Sequence, residues 1–214
     1  MLFDFATLSP DNRYKLMTAT IVPRPIAWIT SLDAEGQLNA APFSFFNALA
    51  GDPPIVGIGI GGRHPDARPG RWKDSAANIR ARGEFVVNLV PYDLREAMNV
   101  TAIEFDSTVD EVAEAGLETV PSSRVAPPRL AASPVALECQ RFVILEVEVD
   151  RTIVLGRVVA LHVRDDAVLD RERCHIDTPK LDLIGRMHGR GWYARTTDRF
   201  EMPRIPVTDW PRRT

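Results

Sequence analysis

Residues 24–47 have the sequence RPIAWITSLDAEGQLNAAPFSFFN, which shows the pattern of a β-hairpin. Two apolar runs, 26–32 and 38–46, flank a short polar connection at 33–36 that ends in glycine. Apolar runs of this length on either side of a tight, glycine-containing turn are typical of paired antiparallel strands. We therefore expect a hairpin here, and the remaining segments are interpreted around it.

The second arm of this hairpin is unlike an ordinary strand, because it mixes small, polar and aromatic residues: Ala40, Ala41, Pro42, Phe43, Ser44, Phe45, Phe46 and Asn47. The alanines remove bulk, the proline removes a backbone donor, and Ser44 and Asn47 add short hydrogen-bonding groups. A flat aromatic ligand with polar edges would suit such a surface. The same rings would also suit the core of a β-barrel that binds nothing, so both interpretations remain open at this point.

Composition indicates a globular chain with no strong preference for polyanions. The 214 residues are 45% hydrophobic and 26% charged, which is typical of a folded protein and enough for one domain over 1–214. The net charge is −3, so no overall basic field would gather nucleic acid or an anionic membrane. We expect neither as a partner.

The two cysteines and the N-terminus favour a reduced, cytoplasmic protein. Cys139 and Cys174 form no CxxC pair, and the adjacent Cys174 and His175 lack further ligands at zinc spacing, so we expect no metal. The segment 1–15 lacks the order of charged and apolar residues that a secretory signal requires. No apolar run approaches the length of a membrane helix.

The rest of the chain predicts a mainly β protein with peripheral helices. Strands are expected at 54–60, 85–90, 137–149 and 152–163, with the last two forming a long hairpin through a turn at 150–151. Helices are expected at 9–19, with Ser9 as N-cap and Pro10 at its first position, and at 75–82, 92–103 and 109–115. Segments 62–71 and 121–134 are expected to be loops, and 197–214 an irregular tail. This order favours a small antiparallel barrel.

One helix start is a candidate anion site. Lys73 precedes the helix predicted at 75–82, which we expect Asp74 or Ser75 to cap and Gly83 to end. A lysine and a hydroxyl beside first-turn amides suit a phosphate, although capped helices with a nearby lysine also occur without any ligand. The glycines at 185, 189 and 191 form no dinucleotide fingerprint, and the phosphate-loop and GxSxG motifs are absent.

Two further groups have open interpretations. Gly57, Gly59 and Gly61 leave one face of the strand at 54–60 bare, which would admit a ligand ring, a second subunit or a packed helix. His162 shares a face with Val158 and Ala160, and we favour a packed, hydrogen-bonded histidine over one that lines a pocket. The basic residues near the end are a weaker phosphate candidate: Arg186, His188, Arg190 and Arg195.

Three motifs in order give the chain a resemblance to a known family. They are RPIAWITSLDAEGQLNAAPFSFFN, then PIVGIGI with KDSAANIRARGEFVVNLV, then GRVVALHV with YARTTDRFEMPR. Together they resemble the flavin reductase-like family of FMN-binding split barrels, which includes flavoredoxins and reductase components of two-component flavin monooxygenases. The resemblance covers about 9–206. It implies a Greek-key antiparallel split barrel that forms a homodimer and binds FMN, with FAD as an alternative.

The resemblance also implies a set of flavin-binding residues. Trp28, Thr30 and Ser31 would lie on the first strand of the site, while Lys73 and Ser75 would hold the phosphate. The ring and ribityl chain would meet residues of the second arm: Asn39, Ala41, Ser44, Phe45, Phe46 and Asn47. Tyr193 would cover the flavin, and Arg195 would lie on its phosphate or nicotinamide side. No acid–base residue is implied, since the cofactor itself supplies the redox chemistry.

The expected activity is electron transfer from NAD(P)H through bound flavin to free flavin, a monooxygenase or another acceptor. One position departs from the resemblance, because relatives that use a nicotinamide often carry histidine where this chain has Arg151. A fixed cation does not replace an imidazole, although it could attract the 2′-phosphate of NADP. The alternatives are a flavin-binding electron carrier or sensor without turnover, a β-barrel interaction module, and a relative of pyridoxamine-phosphate oxidase.

Overall fold

A computed structural model describes residues 1–61, 72–106, 109–148, 151–189 and 191–210. The α-helices are α1 Pro10–Thr20, α2 Asp74–Arg82, α3 Arg95–Val100 and α4 Glu111–Glu114. The longer strands are β2 Ala27–Leu32, β3 Leu38–Phe43, β4 Phe46–Gly51, β5 Pro54–Gly61, β6 Glu84–Asn88, β9 Val135–Glu148 and β10 Arg151–Val163. The short strands are β1 Arg24–Pro25, β7 Thr119–Val120, β8 Arg129–Leu130, β11 Val168–Asp170, β12 His175–Ile176, β13 Ile184–Arg186 and β14 Tyr193–Arg195. Short 3-10 turns lie at Tyr92–Leu94, Asp165–Ala167, Thr178–Leu181 and Val207–Asp209.

The chain is mainly β, as the sequence predicts, and its main sheet curls into a barrel that stays open between its two edge strands. Seven antiparallel strands pair in the order β3-β2-β6-β9-β10-β5-β4. The two edge strands, β3 and β4, are consecutive in the chain and are joined only by Ser44 and Phe45. A sheet whose two edges are this close in sequence must curl round to bring them together. Since no ladder joins these edges among the described strands, the result is a split barrel.

The predicted hairpin at 24–47 is correct in its turn and wrong in its second arm. β2 and β3 pair from Ala27 opposite Phe43 to Leu32 opposite Leu38. The second arm ends at Phe43. The next strand, β4, begins at Phe46 and pairs with β5 at the opposite edge of the sheet. The crossing is held by the carbonyl of Phe45, which accepts a hydrogen bond from the amide of Gly59 at 2.7 Å.

The helices differ from prediction mostly at their ends. The hydroxyl of Ser9 accepts from the amide of Asn12 at 3.3 Å, so it caps α1 as predicted. The helix predicted at 92–103 divides into a 3-10 turn and α3, and the one predicted at 109–115 shortens to α4. The loop predicted at 62–71 lies outside the described residues, as does Asp150. Within the described residues, no helix is long and apolar enough to cross a membrane.

The bare glycine face of β5 is covered by the chain's own side chains. A Cβ placed on Gly57 would lie 2.5 Å from Leu49 Cδ1, and one on Gly59 would lie 3.0 Å from Phe45 Cβ. Both covering residues belong to the crossing into β4 or to β4 itself. The sequence left a ligand ring, a second subunit or a packed helix open as the cover of this face. At Gly57 and Gly59 the structure shows a different cover, namely side chains from the crossing and from β4.

The core lies on both faces of β2. Helix α2 covers part of it and lies next to β3. Ile29 faces the barrel interior with Phe85 and Val154, while Trp28 faces a second cluster with Met98 and Leu130 on the outside. All six are at most 2% exposed. Helix α2 packs on β2 and β3, and Ile79 reaches the interior cluster. The start of α2 therefore lies beside the outer edge of β3.

Candidate functional site

A cavity of about 110 Å³ lies between the start of α2, strand β3 and the segment after α3. Its wall includes four of the residues expected at a flavin site, which are Asn39, Ala41, Lys73 and Ser75. Pro42 and Phe43 add an apolar side, and residues 101–105 close the cavity opposite them. The predicted phosphate residues and part of the predicted second arm thus meet in one place.

The start of α2 has no side-chain cap, contrary to the expected cap by Asp74 or Ser75. Lys73 is the N-cap, and its extended backbone places the carbonyl where the amides of Ala76 and Ala77 donate to it, at 2.9 and 3.0 Å. Within the described residues, the first-turn amides before Ala76 have no side-chain acceptor, and the helix dipole adds positive character there. The helix ends at Gly83, as predicted, with φ +75°.

A buried hydrogen bond ties this helix start to β3. Asn39 Nδ2 donates to Ser75 Oγ at 2.9 Å, and the two residues are 9% and 2% exposed. Because that oxygen acts as the acceptor, the hydroxyl proton of Ser75 remains available to a second group. One turn further along α2, Asn78 Nδ2 donates to Ser31 Oγ at 3.1 Å. These two bonds hold α2 in register with the hairpin.

Charge in the cavity is mixed. Lys73 Nζ lies 3.7 Å from Glu104 Oε1, and its side chain is 33% exposed. Asp74 and Glu111 also line the cavity. Glu111 Oε2 accepts a hydrogen bond from the amide of Ala40 at 3.3 Å, and burial raises the pKa of this carboxyl, with a smaller contribution from Asp74. One lysine therefore faces three carboxyl groups in the described part of the wall.

The three expected site residues on β2 are not among the residues that line this cavity, and each has a hydrogen-bond partner in the protein. Trp28 is fully buried, and its indole N–H donates to Thr101 Oγ1 at 2.9 Å. The hydroxyl of Thr30 donates to the carbonyl of Pro128 at 2.6 Å, so its proton is already engaged. Both side chains position the strand. Ser31 supports α2 through Asn78.

The structure carries the end of the predicted second arm away from the cavity. Ser44 is half-buried at the bend, and Phe46 packs against the barrel core. Phe45 is 43% exposed, with its ring centroid 6.2 Å from that of Tyr14. Asn47 is exposed, and its side-chain oxygen accepts from the amide of Ala48 at 2.8 Å. These residues form a surface beside the crossing into β4.

Tyr193 and Arg195 lie on β14, in a separate three-stranded sheet of order β1-β13-β14. Arg195 makes two contacts with the carboxylate of Asp182, at 3.1 and 2.7 Å, and its guanidinium stacks on Tyr92 at 4.1 Å. Tyr193 accepts a hydrogen bond from Arg186. Arg195 borders a second, mostly apolar cavity of about 360 Å³ and is not brought together with Lys73 in this chain. Arg190, from the same basic group, lies outside the described residues.

Sequence reasoning missed the residues that close the cavity from the far side. Thr101 and Glu111 come from segments that were expected to be plain helix, and Glu104 lies between those two segments. Asp110 carried a usable signal, because it caps α4 through the amides of Val112 and Ala113, at 2.9 and 3.2 Å. Used as a cap signal, it would have moved the predicted helix start from 109 to 111, although nothing in the sequence placed that helix against β3.

His162 is a hydrogen-bonded histidine, as its pattern favoured. Its Nε2 lies 2.5 Å from Oε1 of Glu138, a carboxylate with no exposed surface. Glu138 also accepts from the amides of Ser123 and Arg124, at 2.7 and 2.5 Å. Burial alone would raise the pKa of Glu138, but these three hydrogen bonds outweigh burial and lower it. The hydrogen bonds to Glu138 hold the proline-rich segment 121–134 against β9.

Comparison with known proteins places the chain in a family. A model of the family described as "Flavin reductase like domain" matches residues 18–177. An uncharacterized protein of Deinococcus radiodurans is 46% identical over 213 residues, covering 97% of this chain and 91% of that protein.

Two solved structures are similar over nearly the whole chain. The 2-nitrobenzoate 2-nitroreductase NbaA of Pseudomonas fluorescens superposes with a TM-score of 0.86 at 32% identity, covering 97% of both chains. Nitrilotriacetate monooxygenase component B from Bacillus cereus gives a TM-score of 0.85 at 29% identity, covering 94% of this chain and 98% of that one. With the split barrel and the family match over most of its length, this chain belongs to the flavin reductase-like family.

Proposed function

We propose that this protein is an FMN-dependent oxidoreductase that passes electrons from NAD(P)H to free flavin or another small acceptor. The observation that carries the proposal is the cavity beside β3, where an uncapped helix start, Lys73 and Ser75 meet. Backbone amides at a helix start, together with a lysine and a hydroxyl, suit a phosphate group. The family match supports a flavin as the molecule that carries that phosphate.

The described residues fit a flavin with a single terminal phosphate. Lys73 and the first-turn amides of α2 would hold the phosphate, and Ser75 would donate its free hydroxyl proton. Ala41 has little bulk, and Pro42 presents no N–H at this outer strand, so both leave an apolar surface for a ring. Because this cluster contains one anion site, we favour FMN over FAD, which would need room for a second nucleotide.

When bound, the flavin would accept a hydride from NAD(P)H and pass two electrons to the acceptor. The protein's part is to position it and to stabilise negative charge on its ring. Thr30 cannot donate for this purpose while its proton is engaged with Pro128. We therefore assign this donation to backbone amides and to the hydroxyl of Ser44. Ser44 is half-buried at the bend that follows Phe43 of the cavity wall, and it would donate to a ring that extends beyond this wall.

We also propose a homodimer that completes the site. Cofactor pockets usually enclose about 300–1,000 Å³, and the cavity of about 110 Å³ is smaller than an FMN molecule requires. Several large apolar side chains near the site or on the long hairpin are exposed by 40–60%, namely Phe45, Leu49, Phe142, Leu145 and Val147. Trp192 and Trp210 are 62% and 59% exposed. A second subunit would cover such residues and supply the missing wall, including the Tyr193 and Arg195 that lie apart from Lys73 here.

Gel filtration and a turnover assay test the function. Protein mixed with FMN should retain a visible flavin spectrum after gel filtration, and it should oxidise NADH or NADPH with free flavin as acceptor. Absence of retained flavin would overturn the proposal. Retained flavin without oxidation of either nicotinamide would favour the electron carrier, and sedimentation of the loaded protein as a monomer would overturn the dimer.

A further inference from the structure

Glu111 is a buried carboxyl group at the wall between two cavities. It is 9% exposed and borders the candidate flavin cavity as well as a neighbouring cavity of about 40 Å³. Asn39 and Asp74 border the same two cavities, so the three side chains form the partition between them. The contact of Glu111 with β3 is the 3.3 Å hydrogen bond from the amide of Ala40 to Oε2.

The groups around Glu111 are mostly acidic. From α2 it faces Asp74 and, across the cavity, Lys73; from the segment after α3 it faces Glu104. Asp110 precedes it at the start of α4, and Asp33 lies at the smaller cavity. Asn39 on β3 is neutral. The cation in this group, Lys73, lies 3.7 Å from Glu104, and no ion pair to Glu111 occurs within the described ranges.

A further negative charge placed beside Glu111 would therefore disfavour the ionised form of its carboxyl group. Burial raises the pKa of this carboxyl, and Asp74 and Asp110 act in the same direction, while amides of Ala40 and of Glu111 itself oppose them. A phosphate at the start of α2 would add further negative charge within the same cavity. It would act on Glu111 as Asp74 already does, and it would favour the neutral acid.

We propose that Glu111 takes up a proton from solvent when a phosphate-bearing flavin enters the cavity, which couples flavin binding to pH. The inference rests on the proposed function. A new O–H bond forms on the Glu111 carboxyl, and the proton comes from water or buffer with no change in redox state. Uptake lowers the negative charge of the wall by one and leaves Lys73 and the α2 amides to face the phosphate.

If Glu111 served only as the acceptor for the amide of Ala40, proton uptake on FMN binding would not depend on its titration. β3 is an edge strand, and the amide of Ala40 would lack an acceptor if Glu111 were removed. Glu111→Gln keeps a carbonyl oxygen for that amide and removes only the titration. Glu114→Gln is a matched control, because Glu114 lies on the same helix and is exposed.

Titration calorimetry in two buffers with different heats of ionisation measures the proton uptake directly. The ligand is FMN at slightly alkaline pH, where its phosphate is already a dianion because its second pKa is about 6. We expect wild type and Glu114→Gln to take up a fraction of a proton per FMN, and Glu111→Gln to take up none. The affinity of wild type for FMN should fall as pH rises, and that of Glu111→Gln should change less.

The outcomes separate the two proposals. Riboflavin, which lacks the phosphate, should bind with less proton uptake than FMN in wild type, and this comparison needs no variant. Equal uptake with the two ligands, or unchanged uptake in Glu111→Gln, would overturn the role of Glu111 while leaving the FMN site intact. Failure of wild type to bind FMN would overturn both.

Discussion

Replacement of Lys73 by alanine should weaken FMN binding far more than riboflavin binding. A hydrogen bond to a charged group contributes about 1.5–3 kcal/mol. Wild-type Lys73 must give up its contact with Glu104 at 3.7 Å, which is partly exposed and offsets up to about 1 kcal/mol. The net loss is about 1–2 kcal/mol, or roughly 5- to 30-fold in the dissociation constant for FMN.

Fluorescence titration of FMN and riboflavin into each protein checks this expectation. Riboflavin has the same ring but no phosphate, so its affinity for Lys73→Ala should stay within about twofold of wild type. Lys15→Ala is the control for lost charge, because Lys15 is exposed on α1, outside the cavity wall. Equal weakening of both ligands would place Lys73 away from the phosphate and refute the reasoning.

Three further predictions concern stability and thiol chemistry. Glu138→Gln should lower the unfolding free energy by about 3 kcal/mol at neutral pH, because it removes a fully buried charge that has three donors. Since folding lowers the pKa of Glu138 below the ordinary 4.5, its contribution is present above that value and is lost as pH falls through the folded pKa. Urea unfolding of wild type should therefore lose stability in acid more than the variant does, and an equal loss would contradict the assignment. Cys139 is buried with its pKa raised to about 12, whereas Cys174 is exposed. A thiol reagent should therefore modify one cysteine in the native protein and two in denaturant. Rapid modification of both cysteines in the native protein would contradict the burial of Cys139. Gly156→Ala should lower the free energy of unfolding by about 1–3 kcal/mol, because its Cβ would lie 2.5 Å from Phe85 Cζ. Gly51→Ala meets nothing within 4 Å and should be nearly neutral in thermal unfolding. Similar losses of stability for the two variants would count against the packing.

Local chemistry made part of the fold predictable. The cap at Ser9, the end of α2 at Gly83 and the long β9–β10 hairpin follow from residues that act on their immediate neighbours. Register along β2 and β3 follows from alternation around one tight turn. Such features depend on short-range geometry, so a single sequence carries them.

Long-range contacts account for what was missed. The apolar run continues through Ser44 and Phe45, and the break there is set by the pairing of β4 with β5, a contact that alternation does not specify. Likewise, Glu111 looks like an ordinary helix residue until α4 is placed against the amide of Ala40. Trp28 and Thr30 share β2 with Ser31, but their partners, Thr101 and Pro128, come from distant segments.

Of the expected site residues, the structure gathers some around one cavity and leaves others apart, and their contact with a flavin stays a prediction. Lys73 and Ser75 could be singled out because the sequence shows where the helix starts, and the structure joins Asn39 to them through a buried hydrogen bond. Tyr193 and Arg195 lie on another sheet, so their proposed contact with flavin depends on the partner subunit.

Identification of the cofactor in freshly purified protein tests the central claim most directly. The protein should be denatured, and the released small molecules should be separated by chromatography and identified by mass. We predict FMN, retained by wild type and largely lost from Lys73→Ala. Absence of any flavin from wild type, even after incubation with excess FMN, would contradict the account.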